Sequence, residues 1–159
     1  MTHMMIYVNP FPTLHEPSQP VYFFQPPMGY QDWLQFEKDY LHCMLSAGGL
    51  GLSANQVGVT QRFFGIGHSS FDVFKKPVIL YNARIIKASE EVEIGEEGCL
   101  SFPGVIYNIY RSKEIEVEWQ NMKGETQGAK LKNLEARCFQ HEIDHLDGIT
   151  FNQKAEELN

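Results

Sequence analysis

The stretch His141-Glu142-Ile143-Asp144-His145, near the end of the chain, decides how the rest is read. It is an H-E-x-x-H pattern. On a helix, residues four apart stand on one face a turn apart, so the two imidazoles point to one place and can share a metal ion. Glu142, one step round from His141, reaches a water at that ion and can serve as general base. The surrounding residues support a helix. Asn133 is the expected N-cap, Leu134, Arg137, Cys138, His141 and His145 fall along one stripe, and Gly148 is the expected stop. Three fixed positions in five also arise by chance on surface helices with two solvated histidines. A third ligand elsewhere in the chain separates the two readings.

Downstream, the metalloprotease pattern H-E-x-x-H-x-x-G-x-x-H fits as far as Gly148 and fails at Phe151. The other protease arrangement needs an acidic residue on a later helix. Glu156 and Glu157 lie on a short acidic tail, 152–159, that is not expected to fold back as a helix. Upstream, Cys138 is seven residues from His145, about 10 Å along a helix, which is too far to share an ion at ~2.3 Å. It reads as a core cysteine, as does Cys43 among its aromatic neighbours. Cys99, in a turn between glycines and a proline, can project its sulfur into a cleft and is the favoured ligand. The competing reading of Cys99 is a small buried hydrophobe.

With 159 residues, 43% of them hydrophobic, the chain is expected to form one globular domain over 1–159 that buries roughly 70% of its unfolded surface. A net charge of -7 argues against a nucleic-acid footprint and a polybasic membrane anchor. No apolar run approaches the ~20 residues of a membrane span. Residues 1–12 lack the charged start and apolar core of a signal peptide. Three scattered cysteines, at 43, 99 and 138, argue against a disulfide framework and for a reducing compartment, so a cytoplasmic location is expected.

Residues 1–29 are rich in proline and aromatics and read as an extended arm. Trp33, Phe36, Tyr40, Met44 and Leu45 recur at helical spacing between Tyr30 and Ala47, with Gly48 and Gly49 as the stop. Strands are expected at Arg62 to Gly67 and Pro77 to Asn82, with shorter pieces at Arg84 to Lys87 and Val92 to Ile94. Gly98 to Gly104 reads as a turn-bounded insertion, followed by a strand from Val105 to Arg111. From Glu114 to Trp119, Ile115, Val117 and Trp119 alternate with glutamates, which gives one buried and one wet face. Asn121 to Gly124 is the expected hairpin turn before a partner strand from Glu125 to Leu131. The class is therefore α+β, mostly antiparallel sheet around the helix that carries the H-E-x-x-H pattern.

Three motifs, in order, carry a resemblance: Gly49 to Gln56 (GLGLSANQ), Glu97 to Ser101 (EGCLS) and His141 to His145 (HEIDH). Together with the longer run LEARCFQHEIDHLDG from Leu134 to Gly148, they resemble the peptide deformylases over most of the chain. These are metal hydrolases that remove the formyl group from the initiator methionine of new proteins. The resemblance implies that Cys99, His141 and His145 bind one divalent ion and that a metal-bound water attacks the formyl carbon with Glu142 as base. It implies that Gln56 and the backbone N–H of Leu100 hold the oxygen that gains charge, and that Glu97, with Arg111, supports the ligands from behind. Leu50, Leu134, Cys138 and the surroundings of Gly95 are then expected to line the methionine pocket. Residues 49–52, including Gly51, and 102–105, including Phe102 and Gly104, would pair with the substrate main chain. Iron(II) is the expected ion, with zinc, nickel and cobalt able to replace it.

Formylmethionyl peptides and nascent chains are the implied partners, and a monomer is expected. Ser53 stands where the family usually has alanine, and Gly95 where it often has a bulky apolar residue, which is expected to widen the pocket or relax specificity. The short acidic end, in place of a basic helix, argues against ribosome docking by that route and resembles compact forms carried by some bacteriophages. Two further readings stand beside this one: a metallopeptidase, and a deformylase-like module that binds peptide or metal without turnover.

Overall fold

The computed structural model describes residues 4–157. Ten regular elements follow one another: α1 (Trp33–Ser46), β1 (Gly51–Ser53), β2 (Phe63–Ile66), β3 (Val78–Ala88), β4 (Val92–Cys99), β5 (Phe102–Ser112), β6 (Glu114–Gln120), β7 (Thr126–Lys132), α2 (Asn133–Leu146) and α3 (Phe151–Glu157). All strand pairings between them are antiparallel. One sheet has the order β1-β2-β3-β6-β7, and the second is the β4–β5 hairpin.

The larger sheet lies between the two long helices, and β2 shows why. Its residues alternate in direction but all four are buried. Phe64 and Ile66 pack with Phe139, Ile143 and Leu146 of α2. Phe63 packs on the other face with Phe36, Tyr40 and Met44 of α1. Gly65 points the same way as Phe63, where a Cβ would stand 3.1 Å from the Met44 sulfur. A strand covered on both faces loses the apolar–polar alternation, which is why β2 reads as a plain apolar run. The alternation does hold in β6, where Ile115 and Val117 are buried between glutamates that reach solvent.

Three expectations need correction. The two pieces expected at 77–82 and 84–87 form the single strand β3, bent by a register shift at Asn82, whose φ is +51°. The Asn82 side chain then stands in for backbone: its Oδ1 accepts from the Val21 N–H at 2.7 Å and its Nδ2 donates to the Val21 carbonyl at 2.9 Å. The expected insertion at 98–104 is the tip of the β4–β5 hairpin, with only Leu100 and Ser101 outside the strands. Glycines at 95, 98 and 104 hid these strands because they lower strand propensity. Finally, the tail is helical. Thr150 gives its N–H to the Gln153 side chain at 2.9 Å, and Phe151 and Ala155 of α3 pack on Ile109. The Thr150-x-x-Gln153 spacing is a helix-start signature that was open to reading. Phe151, which breaks the protease pattern, is a core residue.

Asn133 opens α2 but is not a side-chain cap. It sits at φ +57°, and its N–H donates to the Lys113 carbonyl at 3.0 Å. Gly148, at φ +76°, ends the run as expected. The proline-rich arm is extended apart from short 3-10 turns at Pro12–His15 and Pro27–Gly29. It buries Leu14 and Val21, and it donates from the Tyr7, Asn9 and Ser18 N–H groups to the carbonyls of Gln56, Ser101 and Leu146. Residues 1–3 lie outside the described part. No helix among the described residues is long and apolar enough to cross a membrane.

Phe63 touches the rings of Phe36, Tyr40 and Tyr81 at centroid distances of 5.4, 5.3 and 6.0 Å. Phe63→Ala is therefore expected to lower stability by about 3–5 kcal/mol in urea unfolding.

Candidate metal centre and cleft

α2 presents His141 and His145 toward the hairpin tip, where β4 ends at Cys99. The Cys99 Sγ stands 3.3 Å from His145 Nε2, and the two Nε2 atoms are 3.2 Å apart. All three ligand atoms lie within 4.8 Å of one another, and they form the metal-capable cluster found among the described residues. Donors around a tetrahedral ion at ~2.0–2.3 Å stand roughly 3.3–3.8 Å apart, so the set fits one ion. Cys43 packs in the α1 core and Cys138 lines the cleft, and neither joins the cluster.

The orientation of His141 is fixed from behind. Its Nδ1 is 2.8 Å from Glu97 Oε1, so Nδ1 carries the proton and Nε2 keeps a lone pair for a ligand. Glu97 is 7% exposed and lies at the centre of a larger network. Arg111 grips it with two bonds, Nε to Oε2 at 2.8 Å and Nη2 to Oε1 at 2.9 Å. Arg137 adds a third from Nη1 at 2.8 Å. Burial works against the charge on Glu97, but Arg111 and His141 outweigh it and hold the carboxyl down at about 2. Asp144 takes the remaining Arg111 Nη1 at 2.5 Å. The Glu97–Arg111 pairing expected from sequence is thus present, while Arg137 and Asp144 are partners that the sequence reading missed. Asp144 stands three residues after His141, so helical spacing alone could have placed it on the same side.

Glu142 is 2% exposed, and its Oε1 has no hydrogen-bond partner among the described residues. Burial is the largest influence on its carboxyl, which rises to about 7; the Glu97 charge adds to the rise, and His141 and Arg111 oppose it. Its Oε2 lies where a side chain at position 51 would be, since a Cβ on Gly51 would come within 2.4 Å of it. Burial, with His141 beside it, pushes His145 well below the ordinary histidine range and leaves it neutral. A neutral imidazole, a cysteine sulfur and, at the same cleft, a buried carboxylate oxygen without a partner are features that a divalent ion with a bound water would satisfy.

These groups open onto a cleft of about 540 Å³. Leu50, Gly51, Leu134 and Cys138 line it, as do Leu100, Phe102 and Gly104 at the hairpin tip. Gln56 enters from the 3-10 turn Ala54–Val57, and its Nε2 is 3.1 Å from Ser101 Oγ and 3.8 Å from Cys99 Sγ. Gly95 is the exception. It is not among the residues lining this cleft and belongs to a neighbouring depression with Glu93 and Lys113. A Cβ there would stand 2.9 Å from the Arg137 guanidinium carbon, so the small residue seats Arg137 and does not widen the pocket. Arg137 Nη2 then donates to the Glu93 carbonyl at 2.6 Å.

An H-E-x-x-H helix joined by one cysteine, with a carboxylate at the same cleft, brings together three donors that could hold one metal ion. The polypeptide deformylase family profile matches residues 3–159. A peptide deformylase from Thermotoga neapolitana is 47% identical over 109 residues, 69% of this chain and 63% of that protein. The crystal structure of a peptide deformylase from Thermotoga maritima superposes with a TM-score of 0.84 at 36% identity, covering 97% of this chain and 98% of that one. A Met-Ala-Ser-bound class I type b peptide deformylase from Acinetobacter baumannii gives 0.83 at 27% identity, covering 96% and 98%. The chain belongs to the polypeptide deformylase family and has the peptide deformylase fold.

Removing the Glu97 charge takes its carboxylate from Arg137 and leaves Arg111 with Asp144, so one acid faces two buried guanidinium groups. Glu97→Gln is expected to lower stability by about 3–5 kcal/mol in urea unfolding. It should also weaken metal binding roughly 10–100-fold in competition with a chelator.

Proposed function

We propose that this protein hydrolyses the N-formyl group of peptides that begin with formylmethionine and releases formate. The convergence of Cys99, His141 and His145 beside the unpaired Glu142 Oε1 is the observation that carries this reading. A divalent ion held by these three side chains would supply a Lewis acid and lower the pKa of a water in its open position. Iron(II) is the proposed native ion, with zinc, nickel or cobalt as substitutes, because a mixed imidazole–thiolate set does not choose among them.

Glu142 takes the proton of the attacking water at its free oxygen and returns a proton to the departing amine. The formyl oxygen gains negative charge as the carbon becomes tetrahedral. The Gln56 carboxamide and the Leu100 backbone N–H would receive it, a reading supported by both residues lining the cleft, and losing one such donor costs about 10²–10³ in rate. Leu50, Leu134 and Cys138 provide an apolar wall for the methionine side chain. β1 is an edge strand, so the peptide can add to it as a further strand, with residues 102–105 on its other side. The Acinetobacter baumannii relative, bound to Met-Ala-Ser, supports a substrate of this length and sequence.

The test is formate release from formyl-Met-Ala-Ser by anaerobically prepared, iron-loaded protein. Chelator-sensitive release is expected, and none from metal-replete protein would overturn the proposal. Glu142→Gln should keep the ion, measured by elemental analysis, and lose turnover. Cys99→Ala should lose the ion itself.

A further inference from the structure

We propose that Asn55 is a positioning residue for His145, and that it couples the turn carrying Gln56 to the helix carrying the ligands. This rests on the reading of His145 as a metal ligand. His141 and His145 are held in different ways. Glu97 fixes the His141 ring through Nδ1, whereas the buried His145 Nδ1 has no partner among the described residues. The position of the His145 ring therefore comes from its main chain and the packing around it. That main chain lies in the last turn of α2, where carbonyls have no partner further along the helix.

Two donors meet the His145 carbonyl. Gly148 gives its N–H at 3.0 Å, but it belongs to the same helix end and moves with it. Asn55 Nδ2 reaches the carbonyl from outside the helix. A carbonyl only accepts, so the NH₂ end of Asn55 has to face it and the orientation of this carboxamide is fixed. The other end is matched too, since Ser53 Oγ donates its proton to Asn55 Oδ1 at 2.6 Å. Asn55 is fully buried, and its own carbonyl accepts from Thr13 Oγ1 at 2.6 Å and from the Gly58 N–H at 3.3 Å. It directly precedes Gln56 in the 3-10 turn Ala54–Val57. Asn55 is not among the residues lining the cleft and acts through His145. Without its carboxamide, the last turn of α2 keeps the Gly148 bond and loses this tie to the turn of Gln56.

The test is binding of cobalt(II) to the metal-free protein, followed by visible absorption and by competition with a chelator. Asn55→Ala is expected to weaken cobalt binding about 10-fold and to shift the absorption bands, because the groups behind a ligand tune the ion. Thr13→Val removes the hydroxyl that holds Asn55 and should move both readouts the same way by a smaller amount. Asn82→Ala is the control for lost stability alone. It also removes carboxamide bonds to main chain, at Val21, but Asn82 lies on β3 and does not line the cleft. It should unfold in less urea and leave both cobalt readouts at the parent values. Parent affinity and spectrum in folded Asn55→Ala, or an equal shift in Asn82→Ala, would overturn the proposal. Should Asn55→Ala fail to fold, Thr13→Val decides, and parent readouts there overturn it. If His145→Ala binds cobalt as the parent does, the reading of His145 as a ligand fails instead.

Discussion

The buried carboxylate of Glu97 is the constraint on which the rest of the site depends. It lies on β4 and is held by Arg111 of β5 and by Arg137 and His141 of α2. A two-stranded hairpin is marginal by itself, and its angle to the rest of the protein has to come from what it packs against. Here three elements meet at one charge. Two acids, Glu97 and Asp144, face two guanidinium groups, Arg111 and Arg137, in this cluster. Ion pairs this buried add little net stability over an apolar core, because desolvation offsets most of the attraction. Their value here is directional: each bidentate or forked contact fixes an orientation, and together they bring the end of β4 against the face of α2.

That placement makes the cysteine useful. Cys99 comes two residues after Glu97, so the carboxylate that orients His141 also fixes where the third donor, a sulfur, lies. The fourth group at the cleft, Gln56, comes from a different part of the chain. The proline-rich arm links the two by bonding to the Gln56 carbonyl through Tyr7 and to the Ser101 carbonyl through Asn9. The arm, which is poor in regular structure, thus ties the 3-10 turn to the hairpin tip.

What could be read from sequence follows a simple division. Periodicity revealed α1, α2 and β6, because each has one face that is apolar or ligating and one that is not. β2, covered on both sides, lacks the alternation but was still expected as a strand at 62–67, whereas only the first residues of β4 were expected, because glycines mask the rest. Of the candidate site, the grouping of Cys99, His141 and His145 was legible from the H-E-x-x-H spacing together with the resemblance. Arg137 as a partner of Glu97 was not, because a pair 40 residues apart leaves no local pattern. Gly95 was misread for a related reason. A missing side chain looks like empty space in a sequence, but here it is the seat of a guanidinium. Thr150 did leave a local mark, followed three residues later by a glutamine.

Gly51 shows how closely the parts depend on one another. It lies on β1, the edge strand at the cleft, and the carboxylate of Glu142 lies over its Cα, where any side chain would collide at 2.4 Å. A strand that lacks a side chain at this point can take the base close against its backbone and still present its free edge for pairing. A larger residue would have to displace Glu142 or tilt β1, and β1 is held by Tyr40, whose hydroxyl donates to the Leu52 carbonyl at 2.6 Å. The base would move first, because its Oε1 has no protein partner to restrain it. One missing Cβ thus lets the Glu142 carboxylate lie against β1 at the cleft while the edge of that strand stays free.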